Sequence, residues 1–130
     1  MKEPVWIDMA DVLSFHEEML ARYGGLPGVR DRALLDSALH RPRHLFAYGT
    51  TSLFDLAAAY AAGIIRNHPF LDGNKRAGFM AAALFLEVNG LSVIVPEEEV
   101  VLQTLGLAAG GVGERAYARW LRGAVSPRKG

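Results

Sequence analysis

The chain of 130 residues contains no cysteine, which excludes a disulfide framework, a thiol nucleophile and any zinc site built on cysteine. It also lacks an excess of either charge: 14 Lys and Arg balance 14 Asp and Glu for a formal net charge of +0, with a pI near 6.9. Non-specific nucleic-acid binding needs a broad basic field. None is available here, so no direct nucleic-acid contact is expected and any positive potential must be local. Long apolar runs are missing as well. The longest, Phe79–Leu86, is far short of the ~20 residues that cross a bilayer, and Met1–Trp6 has no apolar signal segment. The expectation is a cytoplasmic protein with no membrane contact. Internal repeats and linkers are not evident either. What the chain does have is a hydrophobic fraction of 51%, enough for one domain over 1–130 that buries about two-thirds of its unfolded surface.

Chemistry is concentrated in His68-Pro69-Phe70-Leu71-Asp72-Gly73-Asn74-Lys75-Arg76. The stretch Ala77–Gly90 that follows is rich in Ala and Leu, has no proline and closes on Asn89-Gly90, which predicts a helix with a stop signal. It is apolar around most of its circumference, so it is expected to run through the middle of the fold. The reactive loop then lies at a helix N-terminus, where free N–H groups and the positive end of the dipole favour an anion. Gly73 permits close backbone approach, and Lys75 and Arg76 add full positive charges. Singly, each residue has an ordinary reading as a cap, a turn former or a solvated charge. A cap, however, needs one carboxylate or hydroxyl, and has no use for a histidine four residues earlier or for two cations after it.

The residue types suggest roles. His68, with an ordinary pKa of about 6.5, suits a general base acting on a substrate hydroxyl. Asp72 is the loop's one carboxylate and is expected to hold Mg²⁺ bridging nucleotide phosphates. Asn74, Lys75, Arg76 and the backbone N–H groups near Gly73 are expected to bind the phosphates and the charge that develops in transfer. The implied reaction is phosphoryl or nucleotidyl transfer to a hydroxyl, and these residues do not choose between the two. An inactive helical binding module is a third reading, against which the complete set of reactive residues argues.

The stretch resembles the motif of the Fic/Doc family, His-Pro-Phe-x-Asp/Glu-Gly-Asn-Gly-Arg-x-x-Arg, with Lys75 in place of the second glycine and Phe79 in place of the final arginine. Both departures resemble the Doc branch, the toxins of death-on-curing toxin–antitoxin pairs. Arg22–Gly28 and Ala83–Gly90 resemble Doc segments too, so the likeness covers nearly the whole chain. It implies a compact, mostly α, single-domain Fic-like fold with a central buried helix and at most a short β element. It further implies ATP and Mg as cofactors, phosphotransfer to a protein hydroxyl such as a threonine of elongation factor Tu, a block of translation, and a Phd-like antitoxin as partner. AMP transfer, which in this family accompanies Gly-Asn-Gly-Arg and the trailing arginine, is the alternative. The family's internal inhibitory motif, Ser/Thr-x-x-x-Glu-Gly/Asn, is absent from the sequence.

Elsewhere the periodicity predicts a helix over Asp8–Tyr23 with Val12, Phe15, Met19 and Leu20 inward and His16, Glu17 and Glu18 solvated. Asp31 is expected to cap a helix that Pro42 stops after His40. His40 and His44 have metal-ligand spacing, but a break at Pro42 would misalign them and argues against a site. By the resemblance, Arg41–Ser52 is a flap beside the active site. Leu53–Asn67 predicts a helix that delivers His68, with small residues that let it lie against the alanine-rich one. Phe70 and Leu71 are expected to anchor the loop in the core. Leu91–Val95 has strand composition without an identifiable partner. Pro96-Glu97-Glu98-Glu99 starts a helix to about Ala109, its acids serving the dipole. Glu114–Val125 is a last helix, and Ser126–Gly130 is expected to fray.

Overall fold

The most enclosed element is a helix of small residues. In the computed structural model, which describes residues 2–127, Leu53–Asn67 is helical, Ser52 Oγ accepts from Asp55 N–H at its start, and every residue from Leu56 to Ile65 is buried. Helices α1 (Met9–Tyr23), α2 (Arg32–Ala47), α4 (Asn74–Val88), α5 (Glu97–Ala109) and α6 (Glu114–Gly123) surround this α3. The centre therefore belongs to α3. Helix α4 buries only one side, Asn74, Ala77, Gly78, Ala81, Ala82, Phe85 and Leu86, so the expectation that it runs through the middle is corrected. Alanine explains the arrangement. Ala57, Ala58, Ala59, Ala61 and Ala62 are all fully enclosed and let neighbours approach on several sides at once. At Gly78 the approach is so close that a Cβ would stand 2.8 Å from Ile65 Cγ1 and 3.0 Å from the Ala61 carbonyl oxygen.

Helix α1 begins with a capping box in which Asp8 accepts from Asp11 N–H at 3.0 Å and Asp11 accepts from Asp8 N–H at 2.9 Å. The first of these bonds is the main reason that the Asp8 carboxyl is held below its ordinary pKa. Pro42 does not end α2, which continues to Ala47. A proline inside a helix removes one bond and costs ~3 kcal/mol. Against that, α2 buries Leu35, Ala38, Leu39 and Pro42 itself. Just before the proline Arg41 pairs with Glu114 at 2.9 Å, and past it Arg43 lies over the Trp6 ring and Phe46 meets that ring edge-on at 5.7 Å. Packing outweighs propensity here, and the connection to α3 shrinks to 48–52. The segment 41–52 is therefore mostly helix rather than a flap.

The strand has a partner. Leu91–Val93 (β1) pairs antiparallel with Val125–Pro127 (β2), Ser92 opposite Ser126. The last helix thus stops at Gly123, and Ser126 and Pro127, expected to fray, close the small sheet. Residues 128–130 of the expected tail lie outside the described residues. Among those described, no helix is long and apolar enough to cross a membrane.

Candidate active site

Helix α3 ends by handing its C-cap to His68, whose backbone is left-handed, φ 53 and ψ 52. It is the one non-glycine with positive φ among the described residues. Such a conformation costs on the order of 1–3 kcal/mol and persists only where surrounding contacts over-determine it. Those contacts are present. His68 N–H reaches the Ile64 carbonyl at 3.0 Å. The Arg30 guanidinium donates from Nε to the His68 carbonyl at 2.7 Å and from Nη2 to the Asn67 carbonyl at 2.9 Å. The Pro69 carbonyl accepts from the N–H groups of Arg30 and Asp31 at 2.7 and 3.0 Å. The result splits the motif: His68 is exposed, while Pro69 and Phe70 are buried.

Phe70 anchors the loop as expected, bridging to Val29 and stacking on the His16 ring at 3.8 Å and 11°. Leu71 does not, being 52% exposed. The placement of His16 on a solvated face is corrected as well. The residue is 4% exposed, and its Nε2 lies 3.0 Å from the Asp72 carbonyl oxygen, to which the imidazole donates. Its spacing with Val12 and Met19, one turn before it and one turn after it along α1, carried that signal.

Asn74, which borders the same cavity as His68 and Lys75, has a task besides the phosphate contact expected of it. Its side chain is buried, accepting from Phe70 N–H at 2.9 Å and donating to the Phe70 carbonyl at 3.0 Å. One amide thus satisfies both polar groups of a buried residue. The helix N-terminus itself is left uncapped. The N-cap is Gly73, left-handed at φ 78 and without a side-chain bond, so the N–H groups of the first turn remain available to an anion. A Cβ at Gly73 would overlap the tip of Met19, and the left-handed backbone itself favours glycine here.

Asp72 is exposed. One carboxylate oxygen accepts from Gly73 N–H at 2.9 Å and the other from Leu26 N–H at 3.1 Å. Each oxygen keeps a free lone pair, and a carboxylate is a hard oxygen ligand. No cluster of three or more metal-binding side chains exists among the described residues. That donor set fits Mg²⁺, which is held by one or two carboxylates together with waters and substrate phosphates rather than by an all-protein cage.

The two cations behave differently. Lys75 is exposed and borders a cavity of about 370 Å³ together with His68, Ile65, Leu105 and Ala108. Arg76 does not border that cavity. It pairs with Glu97 at 2.6 Å and lies over the Tyr23 ring at 4.3 Å. Lys75 and Arg76 instead share the lining of a neighbouring cavity, and Glu97, assigned to the dipole of α5, proves to be an ion-pair partner of Arg76. Phe79 lines this same apolar cavity of about 160 Å³ with Val100 and Thr104 and lies 6.1 Å from the Trp120 ring.

Sequence reasoning missed Arg30 altogether, because its carbonyl partners are 37 and 38 residues away. The segment that lies along the reactive loop is 28–31, whose Gly28 carbonyl accepts from Leu71 N–H at 3.1 Å. His40 and His44 share the continuous α2, their rings 6.4 Å apart. No helix break therefore separates them, and among the described residues no group of three possible metal ligands forms there.

Comparison with known proteins agrees with this geometry. The model of the Fic/DOC family matches residues 6–86. The protein named Protein kinase doc from Escherichia phage P1 is 35% identical over 117 residues, covering 89% of this chain and 92% of that protein. Toxin Doc from Mycolicibacterium smegmatis is 40% identical over 91 residues, covering 68% of this chain and 67% of that one.

Proposed function

The chain belongs to the Fic/DOC family, and from that premise we propose that it is a Doc-type toxin, a transferase that moves the γ-phosphate of Mg-ATP to a protein hydroxyl. Elongation factor Tu is the expected target and a Phd-like antitoxin the expected partner. The observation that carries the reading is one cavity shared by the exposed His68, the exposed Lys75 and the uncapped start of α4.

In this reading the His68 imidazole takes the proton of the target hydroxyl as its oxygen bonds to the γ-phosphorus. The bond from that phosphorus to the bridging oxygen breaks, and ADP leaves. Lys75 and the first-turn N–H groups of α4 hold the phosphates and oppose the charge that grows during transfer. Asp72 is the residue to hold Mg²⁺, which neutralises phosphate charge when bound. Asn74 and His16 serve indirectly by fixing the backbone of Phe70 and Asp72. Lys75 and Phe79, standing where the AMP-transferring pattern of the family has a glycine and an arginine, favour phosphotransfer over AMP transfer.

The test incubates the purified protein, Mg²⁺ and a bacterial extract with ATP labelled at either the α or the γ phosphate. Protein-bound label from γ is expected. Label from α establishes AMP transfer, and no label from either means a binding module without activity. The His68→Ala chain should transfer on the order of 10²–10⁴ times more slowly, about 3–5 kcal/mol of lost transition-state stabilisation, while remaining folded. Expressed alone it should leave growth unaffected, where the unsubstituted chain arrests it.

A further inference from the structure

We infer that Arg30 is a positioning residue for the reaction, fixing the backbone of His68 so that the imidazole faces the cavity; this rests on the reading of His68 as the base. Three observations converge. First, His68 holds a conformation that its residue type disfavours, directly before a proline that further restricts it. Second, the Arg30 side chain spends two donors on the carbonyls either side of the bond that sets this conformation, 2.7 Å to His68 and 2.9 Å to Asn67. A planar guanidinium spans two adjacent acceptors, and its charge also suits the negative end of α3.

Third, the loop does not need that side chain to stay in place. The backbone N–H groups of Arg30 and Asp31 hold the Pro69 carbonyl, the Gly28 carbonyl holds Leu71 N–H, and Val29 bridges to Phe70. Removing the guanidinium leaves these bonds intact and acts on the Asn67–His68 linkage alone. A merely structural Arg30 would serve the docking of 28–31, and the backbone already provides that.

The experiment compares Arg30→Ala, Arg30→Lys and the unsubstituted chain in three measurements: thermal melting, the His68 amide–α-proton coupling and Cα shift by NMR, and steady-state γ-phosphate transfer. Expected are melting points close to that of the unsubstituted chain and a His68 backbone that leaves positive φ in the Ala variant. Expected too is a kcat reduced on the order of 10²-fold with KM for ATP unchanged, since Lys75 and the start of α4 are untouched. Arg30→Lys, which keeps one donor, should restore part of kcat. The inference is overturned if His68 keeps positive φ in both variants, or if φ changes while kcat does not. It is also overturned if the Ala variant is globally unfolded and the Lys variant loses melting temperature and kcat together. A wild-type chain that transfers no phosphate would instead sink the base reading, and the NMR comparison alone then decides whether Arg30 holds His68.

Discussion

Asn74→Ala is the sharpest test of how the loop is built. The substitution removes an acceptor 2.9 Å from Phe70 N–H and a donor 3.0 Å from the Phe70 carbonyl. Phe70 is fully buried, and the Ala side chain fills less space without offering either partner. Leaving a buried donor or acceptor unmade costs about 1–3 kcal/mol, so the pair costs about 2–6 kcal/mol. That is a large part of the ~5–15 kcal/mol by which a domain is stable. At about 4 °C per kcal/mol for a chain of this size, the melting point should fall by roughly 10 °C or more. Calorimetry without nucleotide is the assay, because it separates the two roles that the residue was given. A side chain that only binds phosphate would leave the apo melting point unchanged. Asn74→Asp adds a second reading: it keeps the acceptor for Phe70 N–H but sets a carboxylate against the Phe70 carbonyl, so it should also destabilise. Melting within a degree or two of the unsubstituted protein for both variants would refute the account of the loop.

Three other outcomes follow from the structure. Lys75→Ala should leave the melting point unchanged, as the side chain is exposed, yet weaken ATP binding by about 1.5–3 kcal/mol, the value of a charge-assisted bond; isothermal titration checks this, and unaltered binding would remove Lys75 from the site. Gly78→Ala should destabilise by about 1–3 kcal/mol, since its Cβ would stand 3.0 Å from the Ala61 backbone oxygen, and a stabilised variant by urea titration would disprove the close α3–α4 approach. Burial raises the Tyr60 and Tyr117 phenols from 10.0 to about 12, so their contribution, about 2–3 kcal/mol each, is complete below about pH 10 and lost as pH rises through about 12; circular dichroism should show alkaline unfolding in that window, and a fold that persists unchanged beyond it would contradict the burial.

Much of the molecule is legible in local chemistry. The helix over Leu53–Asn67, its proline-limited end, the caps at Asp8 and Asp31, and the proline and acids that start α5 each depend on residues within a turn or two of one another. The motif from His68 to Arg76 is legible for the same reason, since its reactive types are contiguous. Contact between distant segments carries no such signal. That Leu91–Val93 pairs with Val125–Pro127, and that α2 survives Pro42, depends on packing that no local window contains.

Within the site the division is the same. Sequence alone established which residues form the loop and that it sits at a helix start, because side-chain type and spacing decide both. Only the tertiary structure decided how each one is used. The buried backbone of Phe70 needs a partner and takes the Asn74 amide. Glu97 approaches Arg76 and pairs with it, and His16 turns into the core to hold the Asp72 carbonyl. His68 is left exposed beside Lys75 because Arg30, from a segment remote in the chain, stabilises a backbone conformation that neither histidine nor the proline after it would favour alone.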